Sequence, residues 1–390
     1  MRVLMLVATS VATDNRVLRE ARILVDAGHP VHIVGKDVPR DFEPPEGVTV
    51  SSAGASSVFR PAGSPSASAR PLSAPKRFAR WVLLPQHRNQ AFGSWARAAV
   101  EDARTREFDV VHAHDFTALE AGAALAAERG VPYVYDAHEH WQGRQRQHRP
   151  TPLQDRRERE VEGRLGRGAA RVITVGDGIA RLLSGAHGWT DVAVVRNSFP
   201  RREDDGTTIP ERPTGLVYAG RIDAHRDLET VLEAAALVPD LPVTLVGPAV
   251  DVWVTAHARD VAAAGAVVEP SLSVAGVTEL MRAKGIALVP LSDAFESHQM
   301  AMPNKIFHAV HAGVPVVATE VAELAAVVRE HDLGELYRSG DPASLAAAVE
   351  RVRARYPDLL RSVAAAAGPM SWDADAEVLR GVYDRLSDRR

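Results

Sequence analysis

Val3–Val7 is a continuous apolar run, followed by Val17, Ala21, Leu24 and Val25 at the spacings of one helical face, with Gly28 where a C-terminal cap belongs. Val31 to Val34 reads as the next strand. Strand, helix and strand within about thirty residues predict a βαβ unit, and with it a parallel sheet. The alternation recurs at DVVHAHD with a helix from about Thr117 to Arg129, at VPYVYDAHEH and at RVITVGD. After Asn197 a second series begins: GLVYAG, a helix from about Leu228 to Leu237, VTLVG, AVVEP, IALVPL, a helix opening near Asn304, and VPVVAT. The pattern predicts two doubly wound α/β sheets.

Between the two series lies RNSFPRREDDGTTIPERPTG, whose Pro, Asp, Arg and Thr content marks an interdomain linker that would leave a cleft between the sheets. The expected domains are therefore 1–199 and 200–371. The Ser/Ala/Pro-rich stretch from Ser51 to about Ala74 reads as a surface loop, with a largely helical segment from Arg77 to Arg104 after it. Trp372, Leu379, Val382, Tyr383 and Leu386 line an amphipathic final helix that could pack on either domain.

Composition adds exclusions. The chain has 390 residues, 46% hydrophobic and 25% charged, which suits globular cores. A formal charge of -4 gives no global reason to expect nucleic acid as a partner. With no cysteine, disulfides, thiolate nucleophiles and Cys-based zinc sites are ruled out, in keeping with a cytoplasmic chain. The opening MRVLMLVATS reads as a buried strand rather than a signal peptide, and no apolar stretch has the length of a membrane span.

In open α/β sheets ligands bind outside the carboxyl ends of the strands. No GxGxxG follows the first strand or GLVYAG, and no P-loop occurs, which disfavours a dehydrogenase or a nucleoside-triphosphate hydrolase. In GLVYAGRIDAHRDLETVLEAA, Arg221 leaves the strand tip and Arg226 stands near the helix start. Two cations with helix N-terminal amides are a metal-free way to hold a departing diphosphate, against the plainer reading of two solvated arginines. In LVPLSDAFESHQMAMPNKIFHAVHAGVPVVAT, Pro303 precedes a helix opening at Asn304 and Lys305, which places amides and a lysine at the same sheet edge.

A histidine-rich pair of strand tips carries His112 and His114, then Asp136, His138, Glu139 and His140. Cleft lining, structural histidines and a metal site are all open to such a set; strand alternation argues against four imidazoles meeting one ion, and no metal is expected. The basic stretch from Arg144 to Arg171 is interleaved with Asp155, Glu158, Glu160 and Glu162, so a solvated face is favoured over contact with an anionic membrane or an acidic acceptor.

Taken together, TDNRVLREARILVDAGHPV, DVVHAHDFTALEA, VYDAHEHW, RVITVGDGIA, VVRNSFP, LVYAGRIDAHRDLETVLEAA and MPNKIFHAVHAGVPVVAT resemble the GT-B glycosyltransferases of glycosyltransferase family 4 over nearly the whole chain. The resemblance implies two Rossmann-like domains facing a cleft, a last helix (372–390) crossing back to the first domain, and metal-independent transfer with retention. It implies a nucleotide-diphosphate sugar as co-substrate, with no cofactor. A GDP-sugar is preferred over a UDP-sugar, and the expected acceptor is a small molecule of specialised metabolism: a sugar, an aminocyclitol, a thiol-bearing compound or a lipid head group.

The resemblance assigns Arg221, Arg226 and His114 to catalysis. Donor binding is expected of Gly220, Gly247, Ser271, Leu272, Met302, Pro303, Asn304, Lys305 and His308, and acceptor binding of Thr9, Ser10, Arg16, His138 and Glu139. One departure stands out: where the family commonly carries two glutamates eight residues apart, this chain has Met300 and His308. Methionine cannot replace a carboxylate acceptor. Two alternatives follow, a catalytically silent nucleotide-sugar binder and a nucleotide-sugar epimerase or hydrolase.

Overall fold

The computed structural model describes residues 1–53, 93–143, 151–202, 208–224, 226–293, 296–300 and 302–388. Most of the Ser/Ala/Pro-rich stretch, the segment 77–92 of the expected helix, and Arg144, Arg146, His148 and Arg149 of the basic stretch lie outside the described residues.

The chain divides into two compact units. The first comprises Met1–Val175, Ile179–Val195 and Ala376–Arg390, and the second Gly176–Gly178 and Arg196–Asp375. In the first unit, seven strands run β1 (Val3–Val7), β2 (Val31–Gly35), β3 (Val48–Ser52), β4 (Val110–His114), β5 (Tyr133–Ala137), β6 (Arg171–Thr174) and β7 (Val192–Val194). Their order in the sheet is β3-β2-β1-β4-β5-β6-β7, and every described pairing is parallel. The second unit holds β8 (Gly215–Ala219), β9 (Val243–Val246), β10 (Val267–Glu269), β11 (Gly285–Val289), β12 (Val316–Thr319) and β13 (Gly334–Tyr337) in the order β10-β9-β8-β11-β12-β13, again parallel.

Both sheets are buried on two faces, which is why β1, β8, β9, β11 and β12 are almost wholly apolar, while β4 and β5 carry buried His112, His114 and Asp136 toward their carboxyl ends. In β8, Leu216 and Tyr218 join one buried cluster with Leu245, Ile286 and Leu288, while Val217 joins a second with Val246, Ala287 and Val289. Side-chain alternation along one strand thus feeds two cores. The strand order reverses between β1 and β4 in one unit and between β8 and β11 in the other, so the carboxyl ends of these strands are the favoured ligand sites.

Three strands escape the apolar pattern: β3, β7 and β13. Each lies at a sheet edge and is largely part-exposed: β3 and β13 carry no continuous apolar run, and β7 is only three residues long. The helix after β4 spans Asp115–Arg129, starting two residues before the expected Thr117, and the helix after β8 spans Leu228–Ala235. The final helix, Trp372–Ser387, starts in the second unit and belongs to the first from Ala376 onward. Among the described residues, no helix is long and apolar enough to cross a membrane.

Candidate functional site

At the carboxyl edge of the second sheet stand three basic side chains, Arg221 and Arg226 after β8 and Lys305 in the first turn of the helix Asn304–Ala312. Arg221 Nε lies 3.0 Å from Asp223 Oδ2 and Arg226 Nε 3.8 Å from Asp223 Oδ1, so both guanidinium groups gather on one carboxylate. Arg221 remains well exposed, with 62% of its side chain accessible. Lys305 Nζ sits 5.1 Å from the centre of the Tyr218 ring, within cation–π range. Burial, and then the positive field of Arg226, push the Lys305 ammonium down to about 8. The Tyr218 hydroxyl donates to the Arg221 carbonyl at 2.6 Å, which pins the chain where it leaves β8.

Two glycines let the backbone pack this closely. A Cβ at Gly247 would stand 2.2 Å from the Gly220 carbonyl oxygen, and one at Gly220 would stand 2.7 Å from Lys305 Cε. Asn304 and Lys305 open the helix Asn304–Ala312, whose first turn carries no acidic residue and whose Pro303 offers no side-chain cap. The positive end of this helix's dipole therefore lies beside Lys305.

The other expected donor residues are placed less centrally. Ser271 and Leu272 are exposed beyond the tip of β10, and Met302 is partly buried just before the helix. His308 is buried: Nε2 lies 2.9 Å from Thr278 Oγ1, and its ring stacks on Phe199 at 4.6 Å. The Thr278 hydroxyl donates to the Val274 carbonyl at 2.8 Å, so the histidine must supply the proton of its own bond to Thr278. Burial first, then the field of His311, push His308 down to about 4, and it is neutral at physiological pH.

In the first unit, Asp136 at the end of β5 is the hub. Arg16 donates to it twice, from Nε to Oδ2 at 2.9 Å and from Nη2 to Oδ1 at 2.7 Å, and its Nη1 donates to the Val195 carbonyl at 2.6 Å. His114 Nδ1 lies 3.2 Å and His138 Nε2 2.9 Å from the same Oδ2. Burial opposes the charge on Asp136, but Arg16 and His138 outweigh it and hold the carboxyl well below its ordinary range. Arg16 is thus 5% exposed with its guanidinium committed inside the unit, a place at odds with direct acceptor binding.

His112 and His114 are both fully buried. His112 Nδ1 lies 2.9 Å from the Tyr383 hydroxyl, on the part of the last helix that belongs to this unit. Thr9 donates to Asp14 at 3.0 Å, and Asp14 in turn caps the helix carrying Arg16. Ser10 is partly buried beside it, and Glu139 is exposed on the loop after β5.

Glu20, His112, His114 and Asp136 offer ligand atoms within 4.8 Å of one another. Yet the two imidazoles are stacked 4.4 Å apart and 8° from parallel, and a metal must lie close to the plane of every ring that binds it. Arg16, 3.0 Å from Glu20 and 2.7 Å from Asp136, already supplies the cation between the two carboxylates.

Sequence reasoning missed Glu20, Asp115, Asp223 and Tyr383. The available signal was position: Arg16 and Glu20, four residues apart, flank the apolar stripe Val17, Ala21 and Leu24 and are buried with it.

The family model described as Glycosyltransferase Family 4 matches residues 14–200, and the model described as Glycosyl transferases group 1 matches 213–354. The chain is 24% identical over 330 residues to a D-inositol 3-phosphate glycosyltransferase of Arthrobacter sp. (strain FB24), covering 75% of each chain. It is 26% identical over 310 residues to D-inositol 3-phosphate glycosyltransferase 1 of Catenulispora acidiphila, covering 71% of this chain and 72% of that protein. In fold it is similar to sucrose-phosphate synthase of Thermosynechococcus elongatus (TM-score 0.72, 16% identity) and to Anabaena HepE in complex with UDP (TM-score 0.69, 15% identity), each over 100% of both chains. With two parallel-sheet Rossmann-like units and these two models in tandem, the chain is a GT-B glycosyltransferase of the family 4-like type.

Proposed function

We propose that the chain moves a sugar from a nucleoside-diphosphate donor to a small polar acceptor with retention of configuration. The observation that carries this reading is the gathering of Arg221, Arg226 and Lys305 beside Asp223 at the switch point of the second sheet. Three cations against one carboxylate leave an excess of positive charge where a leaving diphosphate develops negative charge. The acceptor attacks from the face that the diphosphate vacates, and a leaving phosphate oxygen takes its proton, so no protein nucleophile is required.

HepE has been seen with UDP and with UDP-glucose, which supports a nucleotide-sugar donor of this class. The GDP-sugar favoured at the sequence level and the uridine donor are the first two to try. The curated relatives named for D-inositol 3-phosphate make a phosphorylated polyol the first acceptor to test. Arg221→Ala is expected to lower turnover by about 100-fold or more. Near-normal turnover in that variant would remove Arg221 from the reaction.

A second reading, a nucleotide-sugar binder without turnover, is favoured by Met300 and by the burial of His308 where the family carries carboxylates. It predicts nucleotide binding with no product from any acceptor.

A further inference from the structure

The cations of the donor site stand on two separate segments: Arg221 and Arg226 between β8 and the helix Leu228–Ala235, and Lys305 in the first turn of the helix Asn304–Ala312. Asp227 closes the first. Its φ of 53° is left-handed, a conformation that costs most side chains and needs local compensation. Asp227 precedes the helix Leu228–Ala235, yet its side chain does not cap that helix. Instead it accepts hydrogen bonds from the Thr230 hydroxyl at 2.7 Å, the Tyr337 hydroxyl at 2.9 Å and the Gly340 amide at 3.3 Å, with the Ser339 hydroxyl as a further donor.

Tyr337 ends β13, and its oxygen accepts from Thr319 Oγ1 at 2.9 Å. Thr319 ends β12, is fully buried, and accepts the amide N–H of Leu291 at 2.8 Å. Each hydroxyl has one proton to give, so every direction is determined: Leu291 N–H to Thr319, Thr319 to Tyr337, Tyr337 to the carboxylate of Asp227. A second path runs beside it, from the Asp293 amide to Ser339 Oγ at 3.4 Å. Both paths start on the loop after β11 and end on the carboxylate that follows Arg226.

We propose that Thr319, Tyr337 and Asp227 are positioning residues for the diphosphate-binding cations, tying the segment of Arg221 and Arg226 to Leu291 and Asp293, where the chain leaves β11 on its way to Lys305. None of the three need touch the donor. They act by setting the cations before the donor arrives, so that little reorganisation is required as charge develops. The inference rests on the nucleotide-diphosphate reading given above.

Thr319→Val and Tyr337→Phe each remove one hydroxyl at nearly constant shape, and Thr319→Ser keeps the hydroxyl as a conservative control. Two measurements apply to the full chain: amide hydrogen exchange at Leu291 and across 221–227, and calorimetric affinities for UDP and GDP against UMP and GMP. In Thr319→Val and Tyr337→Phe, exchange at these amides is expected to quicken, and diphosphate affinity to fall by about tenfold. Monophosphate affinity should change by less than about twofold, and Thr319→Ser should match the parent. A purely structural role would instead quicken exchange throughout the unit and weaken both ligand classes alike, which would overturn the proposal. So would parental exchange and affinities in both hydroxyl-free variants. If the parent binds no nucleoside diphosphate at all, the donor reading itself falls, and the positioning role falls with it.

Discussion

His138 makes the stability of the first unit depend on pH in a direction opposite to that of most buried histidines. Its Nε2 lies 2.9 Å from Asp136 Oδ2 and its Nδ1 3.5 Å from Asp115 Oδ2. Burial opposes its protonation, but the two carboxylates prevail and push it up to about 9. An unfolded chain releases this proton near pH ~6.5. Between about 6.5 and 9 the native state therefore binds more protons than the unfolded one, and stability falls as pH rises. The contribution is complete below the unfolded value and gone above the folded one. At ~1.4 kcal/mol per pH unit, that interval corresponds to about 3 kcal/mol.

Other groups separate cleanly from this effect. His32 and His308, both pushed down to about 4 by burial, cost stability only when pH falls below their unfolded value. Lys305, pushed down to about 8, returns stability as pH rises above that value, but it is common to parent and variant. His138→Gln isolates the effect. The variant should be less stable than the parent by about 3 kcal/mol at pH 6, and the gap should close by pH 9. Urea denaturation at each pH, followed by tryptophan fluorescence, measures it; Trp141 is buried three residues away. A gap that stays constant from pH 6 to 9 would mean that His138 is not held as a cation between the two carboxylates.

Affinity for a nucleoside diphosphate should weaken severalfold between pH 7 and 9 as Lys305 loses its proton near 8, and Lys305→Gln should flatten that dependence. A calorimetric titration of UDP at several pH values decides it, and a pH-independent affinity in the parent would remove Lys305 from the diphosphate site. Gly247→Ala should destabilise by about 2 kcal/mol or more, because its Cβ meets the backbone carbonyl of Gly220 at 2.2 Å. Gly220→Ala first meets the flexible Lys305 chain, so it should cost less stability and more diphosphate affinity; thermal unfolding showing the reverse order would count against this packing.

The strands that bear the candidate site were legible because burial on both faces writes an apolar run into β1, β8 and β11 and opens β4 on Val110 and Val111. Arg221, Arg226 and Lys305 were legible for a related reason: each follows such a run, or opens the helix between two of them, at the carboxyl edge where chain direction alone places it. Contacts made across long sequence separations were not. Arg16, expected from the sequence to bind the acceptor, is drawn inside by Asp136, 120 residues away, and by the carbonyl of Val195. Thr319 and Tyr337 end two different strands and Asp227 precedes the helix after a third, and they share no local pattern; only the order β8-β11-β12-β13 brings them together.

The replacement of the family's carboxylates follows the same logic. Seen in the sequence, His308 is a substitution at a donor-facing position. In the fold, its ring is held between Phe199 and Thr278, in the contact between the helices Asn304–Ala312 and Val274–Lys284. A carboxylate there would lose the proton that His308 supplies to Thr278, whose own proton is already committed to Val274. Residue 308 thus serves helix packing through a neutral ring. On the proposed donor reading, the grip on a nucleotide would then rest chiefly on the charge of Arg221, Arg226 and Lys305, because no carboxylate stands at 300 or 308 to receive a sugar hydroxyl.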